Sequence, residues 1–316
     1  MNSQARDIET GILPGDDTSI GDLPTEQRNP RTMSLDECSS LEIVRLMNEE
    51  DSRIAASVRN ALPAIARLVD AVTARLQEGG RLFYAGAGTS GRLGMLDAAE
   101  CPPTFGVDPA MVQCLMAGGP GVMARAGEAA EDAEQGGRDA VAGAELGTDD
   151  ILVGIAASGR TPFVRGAILE ARSRGCFTAV VTNHMRSPLG KLADVAIDVP
   201  VGPEVVTGST RLKAGTAQKM ILNMISTASM VRLGKVYSNL MVDVTASNEK
   251  LRDRARRIVS RAAGIDIEDA ARFLDDAGGS AKIAILMASS GCSRSSAEAR
   301  LFRQNGNLRR ALADAG

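Results

Sequence analysis

Short apolar runs alternate with glycine-rich loops and helical stretches through the middle of this chain. Of all the features of the sequence, this alternation most restricts the fold classes that the chain can adopt. The first run, residues 81–85, is bounded by Gly79, Gly80 and Gly86, which is typical of a buried parallel strand. Four more strands are predicted at 111–116, 151–155, 177–182 and 195–199, with helices at 122–141 and 164–174. The pattern predicts an α/β fold with an open, mostly parallel five-stranded sheet flanked by helices.

The segments on either side of this sheet differ in character. Residues 1–34 are rich in Gly, Pro, Asp and Asn and predict an extended arm, whereas 35–76 show helical spacing that predicts two helices, the first capped by Ser39 or Ser40. Beyond Thr210 the sequence predicts helices at 213–233 and 248–263, then a small helical bundle over 267–313.

A three-part organisation follows from these patterns. We expect an N-terminal arm and helix over 1–57, a main α/β domain over 58–228, and a C-terminal helical region with the small bundle over 229–316.

Composition narrows the class of protein. The 316 residues are 44% hydrophobic, but no apolar run approaches the ~20 residues of a membrane span, and the first twenty residues do not resemble a secretory signal. Five scattered cysteines form no close pairs, which favours a reducing cytoplasm. A net charge of -3, 3% aromatics and no Trp argue against nucleic acid, so we expect a small-molecule ligand in a cytoplasmic protein.

The single histidine, His184, limits the available chemistry. One histidine is too few for a histidine-rich metal site and leaves little scope for a Ser-His-Asp triad, so we expect carboxylates to carry the acid–base chemistry.

Three loops that leave predicted strands carry small hydroxyl residues. The first, residues 86–91, has the form GxGxxG, but the next strand ends in residues 117–120 without the acidic residue that a nicotinamide ribose requires. The second, 157–162, resembles a phosphate-binding loop without a lysine, and the third, 208–213, adds hydroxyls and two cations. Each alone is compatible with an ordinary helix cap, but three in one sheet favour a sugar-phosphate site.

The longer motifs resemble a known family. Ser158-Gly159-Arg160-Thr161 resembles the phosphate loop of sugar isomerase (SIS) domains, and the stretches 23–30, 86–106, 154–162, 202–219 and 234–244 are similar to the N-acetylmuramic acid 6-phosphate etherases. The resemblance runs from about residue 23 to the carboxyl terminus and is weakest after residue 255. It implies an SIS fold and cleavage of the lactyl ether at C3 of the sugar phosphate. Two positioned carboxyls are enough for that reaction, so we expect neither metal nor organic cofactor.

The resemblance also implies the catalytic residues. The family's acid maps onto Glu100 and its second catalytic glutamate onto Glu131, although Ala129 replaces a common glycine near the latter. Because Pro102 disfavours helix at Cys101, we expect a helix to end at Glu100, where the macrodipole destabilises a carboxylate and suits it to act as an acid. For Glu131, a solvated acidic helix face is the alternative.

Binding roles are expected for residues in the three loops and in one further loop. We expect the phosphate to be bound by Ser90, Ser158, Gly159, Thr161, Ser209 and Thr210, with Arg160, Arg211 and Lys213 shaping the charge and Glu204 contacting substrate. The resemblance implies a homodimer with shared sites, and the arm at 25–30 has no evident use within its own sheet. A sugar-phosphate isomerase and a sugar-phosphate sensor similar to the glucokinase regulatory protein remain alternatives.

Overall fold

The computed structural model describes residues 20–119, 121, 128–243 and 249–314. These residues divide into two compact units. The first comprises the described residues up to Asp97 together with those of 113–225, and the second comprises 98–112 together with those of 226–314. Within the described ranges, no helix is both long and apolar enough to cross a membrane.

A five-stranded sheet lies in the first unit, as the alternation predicted. The strands are β1 (Leu82–Gly86), β2 (Val112–Met116), β3 (Ile151–Ala156), β4 (Phe177–Thr182) and β5 (Val195–Asp198). Their order is β2-β1-β3-β4-β5, and the pairs β1–β3, β3–β4 and β4–β5 are parallel. Every residue of β1 and β3 is buried, which explains why both read as continuous apolar runs.

Helices surround and follow these strands. They are α1 (Ser40–Asp51), α2 (Ile54–Arg59), α3 (Leu62–Gln77), α4 (Gly88–Phe105), α5 (Glu128–Glu131), α6 (Glu134–Gly143), α7 (Pro162–Ser173), α8 (Pro188–Leu192) and α9 (Lys213–Arg232). The core of the sheet domain packs α7 on the strands through Phe163, Val164 and Ile168. Gly154 of β3 permits this packing, because a Cβ there would lie 2.6 Å from Val164 Cγ1.

Several expected boundaries were wrong. Residues 35–76 contain three helices instead of two, although Ser39 does cap α1 in a capping box with Glu42. The helix expected over 122–141 is described as α5 and α6, and its residues 122–127 lie outside the described ranges. The described part of the arm is not simply extended, since it forms 3-10 turns at Ile20–Asp22 and Pro30–Thr32, and a third such turn, Leu35–Glu37, follows it.

The second unit has a helical core of its own. Its helices are α10 (Glu249–Ala263), α11 (Ile267–Asp276), α12 (Ala281–Ser290), α13 (Arg294–Arg303) and α14 (Leu308–Ala313), which enclose apolar residues such as Ile258, Leu274 and Ile285. A short antiparallel pair, β6 (Val236–Tyr237) and β7 (Leu240–Met241), was not predicted from sequence. Two-residue strands carry too little periodicity to be detected.

Candidate active site

A cavity of about 190 Å³ opens beside the loops that follow β1 and β3. These two strands are neighbours at the point where the strand order reverses, which is where open α/β sheets bind ligands. The lining consists of Thr25, Glu26, Ala87, Gly88, Thr89, Ser90, Glu131, Ala157, Ser158, Thr161 and Thr210. It therefore draws on the first and second hydroxyl-rich loops and on one residue of the third.

The glycines of the first loop allow α4 to start directly behind β1. A Cβ on Gly86 would lie 2.8 Å from the backbone nitrogen of Gly91, and one on Gly91 would lie 2.6 Å from the carbonyl oxygen of Gly86. Gly88, the first residue of α4, has φ +53°. The glycines thus serve close helix–strand packing, and the cavity beside them is lined with hydroxyls.

Gly159 fixes the shape of the second loop. Its φ is +67°, a Cβ there would lie 2.3 Å from Ser187 Cβ, and its carbonyl oxygen accepts a hydrogen bond from Leu189 N at 3.1 Å. This close approach places Ser158 on the cavity side. Gly159 therefore contributes backbone geometry, and the hydroxyl beside it is the group that faces a ligand.

Two helices begin at this cavity. Gly88, Thr89 and Ser90 form the first turn of α4, and Thr161 is the N-cap residue of α7 with Pro162 in the first turn. The first backbone N–H groups of a helix have no partner within it, and the macrodipole is positive there, so both ends favour an anion.

Glu131 lies in the cavity wall, and its carboxylate accepts a hydrogen bond from the second loop. Thr161 Oγ1 donates a hydrogen bond to Glu131 Oε1 at 3.1 Å. The Glu131 side chain is otherwise exposed, so it is available to a ligand in the cavity. A hydroxyl has only one proton, so Thr161 cannot donate to a phosphate while it donates to Glu131.

The hydroxyl proton of Ser90 is also used in a hydrogen bond within the protein. Its Oγ donates to Gln218 Oε1 at 2.9 Å, Gln218 Nε2 donates to Asn183 Oδ1 at 3.0 Å, and Asn183 Nδ2 donates to the carbonyl of Val199 at 3.0 Å. Because a backbone carbonyl only accepts, it fixes the orientation of both amides and hence the direction of the Ser90 proton.

The remaining hydroxyls have protons to offer a phosphate. Ser158 Oγ accepts a hydrogen bond from Arg160 N at 3.3 Å, which leaves its own proton available. Thr89 and Thr210 line the cavity, and their hydroxyls have no hydrogen-bond partner among the described residues. Ser158, Thr89 and Thr210 are thus the side chains best prepared to donate to an anion.

Glu204 and Lys213 do not line this cavity, and the structure gives both another role. Glu204 is fully buried, and its two carboxylate oxygens accept hydrogen bonds from Lys213 N and Ala214 N, both at 2.9 Å. Burial raises the pKa of Glu204, and these donors oppose the shift. Glu204 therefore caps the amino terminus of α9, and its expected contact with substrate stays a prediction.

Lys213 is buried in an ion pair. Its Nζ lies 2.5 Å from Glu50 Oε2, and each of the two side chains is only 4% exposed. Desolvation raises the pKa of Glu50, but the hydrogen bond and charge of Lys213 outweigh it, so that pKa is lowered. The charge of Lys213 thus ties α1 to α9, and its expected influence on a bound phosphate stays a prediction.

The other cations and Ser209 border the site without lining the cavity. Arg160 is half-buried in the second loop, and Arg211 is exposed in the third. Ser209 belongs to a tight turn in which its N–H donates to the carbonyl of Val206 at 3.0 Å. Of the third loop, only Thr210 reaches the cavity wall.

The local structure around Glu100 differs from the expectation. Helix α4 continues through Pro102 and Pro103 to Phe105, so Glu100 lies more than one turn before its end. The argument from the carboxyl-terminal dipole therefore does not apply. Glu100 is exposed and belongs to the second unit, and it is not among the residues that line the cavity.

Sequence reasoning missed three lining residues that have polar side chains. Thr25 and Glu26 come from the arm, and Thr89 lies in the first loop. The sequence did contain a feature that could have identified Thr25 and Glu26, because residues 23–30 form one of the motifs that resemble the family. The arm packs on its own chain: Gly208 N donates to the carbonyl of Thr25 at 3.2 Å, and Asn29 Nδ2 donates to that of Pro203 at 3.3 Å. The arm thus has a use within its own subunit, contrary to the argument for a dimer.

Comparison with known proteins identifies relatives along nearly the whole chain. Residues 64–172 match the family model described as the glucokinase regulatory protein N-terminal SIS domain, and residues 132–228 match the SIS domain model. A phosphoheptose isomerase from Francisella tularensis is a structural neighbour with a TM-score of 0.49 and 19% identity, covering 61% of this chain and 98% of that one.

The curated relatives are more specific. An N-acetylmuramic acid 6-phosphate etherase of Salmonella agona is 52% identical over 93% of this chain and 99% of its own length. One of Pectobacterium atrosepticum is 52% identical over 95% of this chain and 99% of its own length. At that identity and coverage the chain, whose sheet is an SIS fold, belongs to the N-acetylmuramic acid 6-phosphate etherase family.

Proposed function

We propose that this protein cleaves the D-lactyl ether of N-acetylmuramic acid 6-phosphate, giving N-acetylglucosamine 6-phosphate and D-lactate in the recycling of peptidoglycan amino sugars. The observation that carries the proposal is the 52% identity to curated etherases over nearly the full length of both chains. The cavity at the switch point of the sheet, with Glu131 and hydroxyls in one wall, supports it.

The chemistry requires a base, an acid and water. In the open-chain sugar, the C1 aldehyde acidifies the C2 proton. Glu131 removes that proton, the electron pair forms a C2–C3 double bond, and the C3–O bond breaks as Glu100 protonates the departing lactate oxygen. Water then adds its hydroxyl to C3 and a proton to C2. Each carboxyl group changes protonation once in each half of the reaction, which is general acid–base catalysis.

The phosphate is held by hydroxyls and helix ends in this proposal. Ser158, Thr89 and Thr210 donate their protons, the backbone N–H groups at the start of α4 and α7 add further donors, and Ser90 and Thr161 complete the wall. Arg160 and Arg211 supply positive charge from the adjoining loops. This arrangement discriminates a phosphate monoester from an uncharged sugar.

A homodimer with shared sites is part of the proposal. The cavity of about 190 Å³ is smaller than the roughly 300–1,000 Å³ of pockets that enclose a drug-sized ligand, so it accommodates one end of this substrate. Mixing Glu100→Ala with Glu131→Ala protein tests the sharing: recovery of activity in the mixture indicates that one site takes its glutamates from two subunits, and a monomer in analytical ultracentrifugation at micromolar concentration refutes the dimer.

Location and domain boundaries are proposed on similar grounds. All five cysteines are free, and the substrate is a phosphorylated sugar, which together favour the cytoplasm. Residues 58–228 form the sugar-phosphate domain in this proposal, with 1–57 and 229–316 as accessory parts, and both matching domain models fall within 58–228.

The direct test is release of D-lactate from N-acetylmuramic acid 6-phosphate by purified protein without added metal or nucleotide. We expect Glu100→Ala and Glu131→Ala to lower kcat by about 10²- to 10⁴-fold. Asp132→Ala is the matched control, because Asp132 is the exposed carboxylate next to Glu131. Absence of lactate with the wild-type protein refutes the etherase and leaves isomerisation or binding of sugar phosphates as the function.

A further inference from the structure

A second carboxylate, Glu26, lies in the wall of the same cavity as Glu131. Its backbone is fixed by the arm, because Glu26 N donates to the carbonyl of Leu23 at 2.9 Å and Leu23 is 1% exposed. The adjacent carbonyl of Thr25 accepts a hydrogen bond from Gly208 N at 3.2 Å. Glu26 is therefore held at the cavity by contacts on both sides.

The third loop leaves room for the Glu26 side chain. Gly208 has φ +74°, and a Cβ there would lie 3.0 Å from Glu26 Oε2, so the carboxylate lies directly over this glycine. The side chain is half-buried, and no hydrogen bond or ion pair engages it within the described parts of the chain. A carboxylate with about four acceptor positions thus faces the cavity ready for donors.

The groups that the substrate carries determine which of them can donate a hydrogen bond to Glu26. A carboxylate repels the phosphate dianion, so Glu26 faces the sugar carbons. In N-acetylmuramic acid 6-phosphate, C2 carries the acetamido group, C3 the lactyl ether and C6 the phosphate. The ring form has free hydroxyls at C1 and C4, and the open-chain form that reacts has them at C4 and C5. C4 therefore carries a free hydroxyl in both forms and is bonded to the reacting C3, and Glu26 shares its cavity with the loop at 157–162 and with Glu131.

We infer that Glu26 is a specificity-determining residue that accepts a hydrogen bond from the C4 hydroxyl of the bound sugar phosphate. The inference rests on the proposed etherase function and assigns a role to the arm that carries Glu26. It implies discrimination against substrates whose C4 hydroxyl is absent or inverted, because the half-buried carboxylate is then left without its donor.

A double cycle of protein and substrate changes tests the inference. D-lactate release is measured for wild type and Glu26→Ala with N-acetylmuramic acid 6-phosphate and with its 4-deoxy analogue. We expect Glu26→Ala to lower kcat/KM about 10- to 100-fold for the natural substrate, the loss of a hydrogen bond to a charged acceptor. Both proteins should use the 4-deoxy analogue almost equally, because the interaction is already absent.

Controls separate this role from a structural one. Glu37→Gln changes an exposed carboxylate in the turn that directly follows the arm and should leave kcat/KM unchanged. Glu26→Met keeps the approximate size of the side chain, has no acceptor oxygen, and serves if Glu26→Ala does not fold. Equal kcat/KM for wild type and a folded Glu26 variant, or the same fold loss with both substrates, overturns the inference alone. Absence of lactate with wild type refutes the etherase proposal and this inference with it.

Discussion

The buried ion pair between Glu50 and Lys213 joins the end of α1 to the start of α9, and its removal tests how this unit is held together. Each side chain is 4% exposed, and their charged atoms lie 2.5 Å apart. Arg31 Nη1 lies 3.3 Å from the second oxygen of Glu50, but the Arg31 side chain is 32% exposed and its charge is better screened. Lys213 is therefore the main counter-charge of Glu50.

Breaking one half of the pair leaves a buried charge. Glu50→Gln leaves the Lys213 ammonium without a carboxylate and should lower the free energy of unfolding by about 3–5 kcal/mol. Lys213→Met should cost about 3 kcal/mol, at the lower end of that range, because Arg31 still faces Glu50. The double variant Glu50→Leu/Lys213→Met should lie within about 1 kcal/mol of wild type, since it leaves no buried charge.

Urea unfolding followed by circular dichroism measures these differences. Glu49→Gln is the matched control, because Glu49 lies on the same helix as Glu50, also pairs with Arg31 and is 58% exposed, and we expect a loss below about 1 kcal/mol. A loss below about 1 kcal/mol for Glu50→Gln as well, or additive losses in the double variant, would refute the claim of a buried, coupled pair.

The same pair predicts a pH dependence. Because the pKa of Glu50 is lowered from its ordinary 4.5, its ionised form contributes stability above that pH, and the contribution is lost as the pH falls through the lower pKa of the folded state. The difference in stability between wild type and Glu50→Gln should therefore be constant near neutral pH and shrink below about pH 4.5.

Three further predictions concern the site and the thiols. Thr161→Val should lower kcat up to about 10-fold with little change in KM, by removing the hydrogen bond to Glu131, whereas Thr161→Ser should keep wild-type rates. Gly159→Ala should lower the unfolding free energy by more than about 2 kcal/mol in urea, since it combines a positive φ with a Cβ 2.3 Å from Ser187 Cβ. Burial raises the pKa of Cys114 to about 12 and of Cys176 to about 11, so neither should react with a thiol reagent at pH 8 in the native protein; rapid labelling of either thiol would contradict this.

The sheet could be predicted because its signal is local. Buried parallel strands are continuous apolar runs, and the glycines at 79–80 and 86 mark the limits of β1 in the sequence itself. The predicted end of the helix at Glu100 was wrong because the signal used for it was local, whereas the actual end depends on tertiary context. Pro102 and Pro103 are locally unfavourable in a helix, yet α4 continues through them to Phe105, so tertiary context outweighs the local preference.

The candidate site was predictable in its loops but not in every side chain. The hydroxyls of Ser158 and Thr210 follow strands, and the carboxyl ends of parallel strands meet at one edge of the sheet. Glu204 and Lys213 have the same local character as binding residues, and only tertiary contacts reveal that one caps α9 and the other pairs with Glu50. Spacing along the chain carries no information on a partner 163 residues away.

The arm changes how the third loop and the assembly are understood. Its Thr32 Oγ1 donates to the carbonyl of Val205 at 2.8 Å and its Asn29 Nδ2 to that of Pro203, while Thr25 accepts from Gly208 N. The arm therefore supports the loop that carries Thr210 and brings Glu26 to the cavity of its own subunit. A homodimer is then not needed to explain the arm. The homodimer that we propose then rests on the resemblance and on the size of the cavity: at about 190 Å³ it accommodates only one end of the substrate, and in the proposal a second subunit supplies the surface around the lactyl end.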